Sequence, residues 1–494
     1  MRYQNPVLRG MYPDPSVCAA NGKYYMVCST FQYFPGAPLF ESEDMVNWRQ
    51  IGHCLTRADQ LDLRGESSRG GVYAPTIRYN DGRFYMITTK VAGGRNVNFY
   101  VYTDDIYGEW SEPVYVEGSG IDPSLYFEDG RAWFIGNGID EASGRGCILM
   151  SEIDILTGRK LGGTKPLWFG TGGRYIEAPH LYKTGGYYYL VDAEGGTEYG
   201  HMVNYARSRD MWGPYEPFPG NPVMTNRDLG GYIIQGAGHG DLIEDKHGDW
   251  WFVHLAFRQQ SMWMPFHHLG RETCLAPVCW QDGWFHIGDG TAGSEYVLDR
   301  PGCAQQSLSF DKGFADFREG RDWCFLRYHT AGTYTFRADG LRIRGAADTP
   351  DGLGLPACAM LRQSEFDMNI SVNVSGCCGE AGVTLYLDER HHYDLYLERG
   401  NDAVLRLRVG GILHEAFRTE VKGRATLKIR ADAANYEFFI EDESGLTKAG
   451  SAETRYLSSE VAGGFTGVMI GLYAVDAGGA YADFSGLRLT HEQD

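Results

Sequence analysis

Three carboxyl side chains stand in settings that call for a chemical reason. Asp14 lies between two prolines in Tyr12-Pro13-Asp14-Pro15-Ser16, and Asp122 lies in the near copy Gly120-Ile121-Asp122-Pro123-Ser124. Glu177 follows an isoleucine in Arg174-Tyr175-Ile176-Glu177-Ala178-Pro179-His180. The prolines keep Asp14 out of helix. Taken alone, Asp14 is a turn residue capping nearby N–H groups and Asp122 a structural repeat element. Glu177 is harder to dismiss, because a carboxyl beside apolar neighbours is costly to bury. Together such groups suit glycoside hydrolysis. That reaction needs one protonated carboxyl for the leaving oxygen and one ionised carboxyl, on opposite sides of the scissile bond, to activate water or attack the sugar.

Groups so far apart in sequence must be brought together by the fold, and the chain is written in hairpins. Asn-Gly at 21–22, Asp-Gly at 81–82, 129–130 and 282–283, and Gly-Gly at 185–186 each precede a strand-like run. Those runs are Lys23–Ser29, Arg83–Thr89, Arg131–Gly136, Trp284–Ile287 and Tyr187–Asp192. Five segments share a start, an apolar strand, a turn and an aromatic strand, beginning at Asp14, Ala74, Asp122, Ala178 and His239. A period of about 50 residues holding four short strands predicts a β-propeller blade. The fold class is therefore all-β, a five-bladed β-propeller followed by a β-sandwich. Residues 14, 74, 122, 178 and 239 should ring one mouth of the central channel, with Glu177 one residue before its blade's repeat position.

The pattern changes near residue 300, where Asp299-Arg300-Pro301-Gly302 reads as a linker. The expected domains are 1–303 and 304–494, the second built of alternating strands in two sheets. At 494 residues and 43% hydrophobic content, both cores can be filled. The net charge of −19 argues against nucleic acid or an anionic membrane as partner and is compatible with a neutral sugar. The 11 cysteines lack metal-ligand spacing and read as mostly free, buried thiols. With no apolar leader visible, the expected location is cytoplasmic. A homo-oligomer is left open.

The ordered motifs Asn5-Pro6-Val7-Leu8, Tyr12-Pro13-Asp14-Pro15-Ser16, Ser29-Thr30-Phe31-Gln32-Tyr33-Phe34-Pro35-Gly36, Tyr73-Ala74-Pro75, Gly120–Ser124, Glu177-Ala178-Pro179-His180, Gly238-His239-Gly240-Asp241 and Leu269-Gly270-Arg271-Glu272-Thr273 cover nearly the whole chain. In these the sequence resembles glycoside hydrolase family 43, the β-xylosidase and α-L-arabinofuranosidase branch with a C-terminal concanavalin A-like sandwich. The resemblance implies an inverting, exo-acting hydrolase that releases xylose or L-arabinose from non-reducing ends of an oligosaccharide. It assigns Asp14 as general base, Glu177 as general acid, and Asp122 as the carboxylate that raises the acid's pKa and orients it. An inverting pair is expected roughly 6.5–9.5 Å apart.

The resemblance also marks Phe31 and Tyr73 as walls of the sugar subsite and Arg271 as a substrate-binding arginine. Tyr73 stands where compared xylosidases carry Trp, which leaves xylose against arabinose open. His239 matches a channel histidine that approaches a divalent cation such as calcium in some members. No cofactor is required. Its plainer reading is a hydrogen-bonded inner-strand histidine, and that of Arg271 a surface or ion-pair residue. Gly463-Gly464-Phe465-Thr466-Gly467 reads either as a sandwich turn or as a loop carrying Phe465 into the pocket. Glu194–His201 is a Gly-rich stretch placed to line a pocket. In Gln259–His268, His267 and His268 read as solvated loop histidines rather than metal ligands. Two other functions are a non-catalytic sugar-binding propeller, which would not need three carboxyls, and a retaining, fructan-type hydrolase, which would set its carboxyls about 5 Å apart.

Overall fold

The computed structural model describes residues 2–118, 120–298 and 304–493. Five sheets of antiparallel strands run in chain order, four strands each, with one short extra strand on the fourth. Their first strands are Ser16–Ala20, Gly71–Asn80, Ser124–Glu128, Glu177–Thr184 and Ile234–Glu244. The hairpin dipeptides explain the chain reversals. Both residues of 21–22, 81–82, 129–130, 185–186 and 282–283 have positive φ, the type I′ geometry that matches strand twist. The strands that follow equal or outrun the sequence expectation at several sites, as with Arg83–Ala92 and Arg131–Ile139.

The five repeat positions share an unusual backbone. Asp14, Ala74, Asp122, Ala178 and His239 all have positive φ, between 30° and 56°. None is glycine, and each such residue costs about 1–2 kcal/mol. Three of these positions lie in strands whose pairing register shifts beside them, between Tyr73 and Thr76, Glu177 and His180, and Gln235 and Gly240. These five inner-strand starts are the blade elements of a five-bladed propeller.

Apolar packing lies between neighbouring blades. Tyr25, Val27 and Leu39 pack against Met86 and Phe99, and Trp133 and Ile135 against Leu181 and Leu190. The ring closes where Val17, Met26 and Phe40 meet Trp251 and Leu275. Arg2–Gln4 also pairs with Glu295–Val297. Near the axis, the buried Asp241 ties four blades. Its carboxylate accepts from Ser16 Oγ (2.6 Å), Arg78 Nη1 (2.7 Å) and Tyr182. Arg78 Nη2 also donates to His180 Nδ1 at 2.8 Å.

The C-terminal half packs two eight-stranded sheets face to face, with Trp323, Phe325, Leu385, Tyr436 and Phe438 between them. This is the concanavalin A-like sandwich. One of its edge strands, Tyr33–Phe34, comes from the propeller half and pairs with Cys324–Leu326. The expected linker and the boundary at 303/304 fall on residues 299–303, outside the described residues. All ten described cysteines are free, eight of them buried. No described helix is long and apolar enough to cross a membrane.

Removing one partner of a buried ion pair strands the other charge. Arg78→Met should lower unfolding free energy by about 3–5 kcal/mol, read from the denaturant midpoint. Arg83→Met, which breaks the exposed pair with Asp104, should barely move that midpoint.

Candidate active site

The eight residues read from the sequence as catalytic or sugar-binding, Asp14, Phe31, Tyr73, Asp122, Glu177, His239, Arg271 and Phe465, line one cavity of about 480 Å³. It opens at the channel mouth where the inner strands begin. The left-handed residue at each strand start turns its side chain out of the strand's alternation. Where that residue is alanine, at 74 and 178, the preceding side chain lines the cavity instead, and these are Tyr73 and Glu177.

Asp14 is buried and hydrogen-bonded through both oxygens. Arg271 Nη1 donates to its Oδ1 at 2.7 Å and Ser29 Oγ to its Oδ2 at 2.6 Å. Ser29 is itself fixed by the Ala74 N–H at 2.6 Å, so the second blade's start orients the first blade's carboxylate. Burial alone would raise the Asp14 pKa. The Arg271 charge and the hydrogen bonds from Ser29 and Arg271 outweigh it and hold Asp14 below the usual carboxylate value.

Glu177 moves the other way. Burial, then the negative charge of Asp14, push its carboxyl up to about 7 against the opposing pull of Arg271. Asp122 is raised by burial and by the charges of Glu177 and Asp14. Both carboxyls are thus raised by burial and by like charge. The charge pressing on Glu177 comes from Asp14, with Asp122 sharing the same pressure.

Arg271 is buried, which removes the reading of it as a surface residue. Its Nη1 also donates to Thr197 Oγ1 at 2.8 Å. Behind it lies a buried ion cluster. Arg258 forms two 2.8 Å bonds to Glu272 and one to Glu365 of the sandwich half, and Arg9 reaches Glu365 at 2.9 Å. The guanidinium of Arg271 is thereby carried on a seam clamped by both halves.

Three rings form the apolar wall. Phe31 meets Tyr73 edge-on at 5.1 Å and stacks with Phe465 at 5.9 Å, and the Arg271 guanidinium lies 5.6–5.7 Å from Phe31 and Phe465. The Gly463–Gly467 segment is therefore the pocket loop, not a remote sandwich turn. Its approach depends on glycine. A β-carbon on Gly270 would come within 2.9 Å of Gly467 Cα, and one on Gly467 would overlap the Leu269 carbonyl. The Val468 N–H donates to His268 O at 2.8 Å just beyond.

The model "Glycosyl hydrolases family 43" matches residues 3–285. The chain belongs to that family. The model "Beta xylosidase C-terminal Concanavalin A-like domain" matches residues 312–490 of this family 43 hydrolase. It is 38% identical to a non-reducing end α-L-arabinofuranosidase of Bacteroides ovatus, over 97% of this chain and 92% of that protein. It is 35% identical to a xylosidase/arabinosidase of Butyrivibrio fibrisolvens, over 97% and 98%. The solved xylan β-1,4-xylosidase of Bacillus halodurans superposes with a TM-score of 0.91 at 30% identity, covering 99% of this chain and 100% of that one.

His239 sits with Nδ1 3.7 Å from Asp14 and 3.9 Å from Asp122. Burial lowers its pKa more than Asp14 raises it, so the ring is neutral at neutral pH. Among the described residues no group of three or more His, Cys, Asp or Glu is arranged to hold a metal. A calcium ion takes six to eight oxygens, and the Asp14 oxygens near His239 are already bound by Arg271 and Ser29. The protein donors at His239 therefore fit calcium poorly.

The sequence stretch 194–201 does reach the cavity, through Gly196, Thr197, Glu198 and Tyr199. His267 and His268 are buried rather than solvated. His267 stacks on Phe257 at 3.9 Å and bonds Glu460 at 2.6 Å, and this pair lines the cavity mouth. Glu460 and Ser459 were not singled out from the sequence. They sit on a four-residue helix, Ser459–Ala462, too short to leave a periodic signal.

Gly467→Ala should push the Phe465 loop off the pocket. Expected is at least a tenfold fall in kcat/KM on an aryl glycoside, with a far-UV CD spectrum like that of the parent.

Proposed function

We propose that this family 43 hydrolase is an inverting, exo-acting glycosidase that releases single xylose or L-arabinose residues from the non-reducing ends of oligosaccharides. The observation that carries the reading is the opposed titration of two carboxyls in one cavity. Asp14 is held below the usual carboxylate value, whereas Glu177 is raised to about 7. In this reading Asp14 takes the proton of a water attacking the anomeric carbon, and Glu177 gives its proton to the leaving oxygen. Asp122, raised by burial and by the Glu177 and Asp14 charges, is the third carboxyl around the acid. The Phe31, Tyr73 and Phe465 wall packs one face of the sugar. The pentose assignment draws support from the arabinofuranosidase and xylosidase names of the relatives. The free cysteines support a reducing compartment as the site of action.

Asp14→Ala and Glu177→Ala should each cut kcat on aryl pentosides by about three orders of magnitude or more while the thermal unfolding curve keeps its shape. Near-normal turnover in either variant defeats the reading. A proton NMR time course should show the inverted anomer first, and early retention of configuration would point to a double-displacement enzyme.

The pH profile follows from the two shifts. Glu177 donates only while protonated, so kcat/KM should fall as pH rises through about 7. Asp14 works only when ionised, and its lowered pKa puts the acid limb below the usual carboxylate range. A profile that stays flat to pH 9 contradicts this assignment.

A further inference from the structure

The mouth of the cavity carries a polar cluster to which the reaction above gives no task. Glu460, from the sandwich half, accepts from His267 Nδ1 at 2.6 Å, from the His267 backbone N–H at 3.1 Å, and from the Tyr199 hydroxyl at 3.2 Å. His267 and Tyr199 both rest on Phe257, at 3.9 Å stacked and 5.1 Å edge-on. Three separate segments, from the fourth blade, the fifth blade and the sandwich, thus converge on one carboxylate. All three residues line the cavity.

We propose that Glu460, held by His267 and Tyr199, binds hydroxyl groups of the sugar on the leaving side of the scissile bond and so makes the enzyme favour glycan over non-sugar leaving groups. The inference rests on the exo-acting reading above.

Depth in the pocket supports the placement. Asp14, Asp122 and Arg271 are buried, whereas Glu198 is exposed and Tyr175, two residues from Glu177, is 65% exposed. A pocket that takes one terminal sugar at its floor must hold the next sugar at that open end, past the proton donor. Of the two carboxylates lining the cavity there, Glu198 is paired with exposed Arg174, and Glu460 is the one fixed by His267 and Tyr199. Its side chain is 20% exposed, so its carboxylate is open to the cavity as well as bonded to the protein. Burial would raise its pKa, but the His267 contact outweighs this and keeps it an ionised acceptor. Being already fixed by three bonds, it loses little freedom when a sugar hydroxyl donates to it. The exposed ring of Tyr175 offers that sugar an apolar face at the same mouth.

The test compares a pentose disaccharide with an aryl pentoside that lacks leaving-group hydroxyls. Full-length Glu460→Ala should lower the ratio of kcat/KM for disaccharide over aryl pentoside by about tenfold, the usual weight of a hydrogen bond to a charged group. Glu460→Gln, which keeps the volume, should lower it by a smaller factor. If both substrates lose activity in parallel, Glu460 merely supports the loop and the proposal fails. If the ratio is unchanged in both variants, it fails as well. A parent enzyme inert toward both substrates would instead bring down the exo-acting reading, and this inference with it.

Discussion

One backbone constraint organises the molecule: each blade enters its inner strand through a residue held at positive φ. Aspartate tolerates this conformation better than most side chains, and two of the five positions are Asp14 and Asp122. At the two alanine positions the small side chain leaves room, and the residue before it turns in. The rule places Tyr73 and Glu177 beside Asp14, Asp122 and His239 without any long loop. Local strain of this kind persists only where the surroundings over-determine it. Here the surroundings are the seams between blades and the Asp241–Arg78 network at the axis.

The same geometry separates two like groups electrostatically. Asp14 and Glu177 share a cavity and a low-dielectric setting, so burial acts on both in one direction. What differs is the company. Arg271 bonds Asp14 directly, whereas Glu177 feels Asp14 as its main charged neighbour. The Arg271 guanidinium thus helps to hold Asp14 ionised, and the Asp14 charge adds to burial in raising Glu177. This explains why so much buried structure stands behind Arg271: its neighbour Glu272 joins Arg258, Arg9 and Glu365 in one bonded group.

Much of this was legible in the sequence, for local reasons. The Asn-Gly and Asp-Gly pairs announce turns through their own backbone preferences, so the hairpins and the five repeats can be counted. Glu177 stood out because its neighbours made a carboxyl costly. Other features were hidden because they depend on partners far along the chain. The burial of His267 rests on Phe257 and on Glu460, 193 residues away. The exchanged strand is two residues long, Tyr33–Phe34, below the length at which alternation can be read. Gly467 looked like any turn glycine until Gly270 was found against it.

That short strand has a consequence for how the protein comes into being. Phe31, one face of the sugar wall, sits two residues before Tyr33, whose sheet partners begin at Cys324. During synthesis, at 5–20 residues per second, the first blade waits roughly 15–60 seconds for that partner to leave the ribosome. Phe465 emerges later still. Its blades can stack as they are made, but its wall is finished only when the last strands of the second half arrive. An incomplete chain therefore exposes a channel mouth with carboxyls and an unfinished wall, and the catalytic pocket is among the last parts of the molecule to mature.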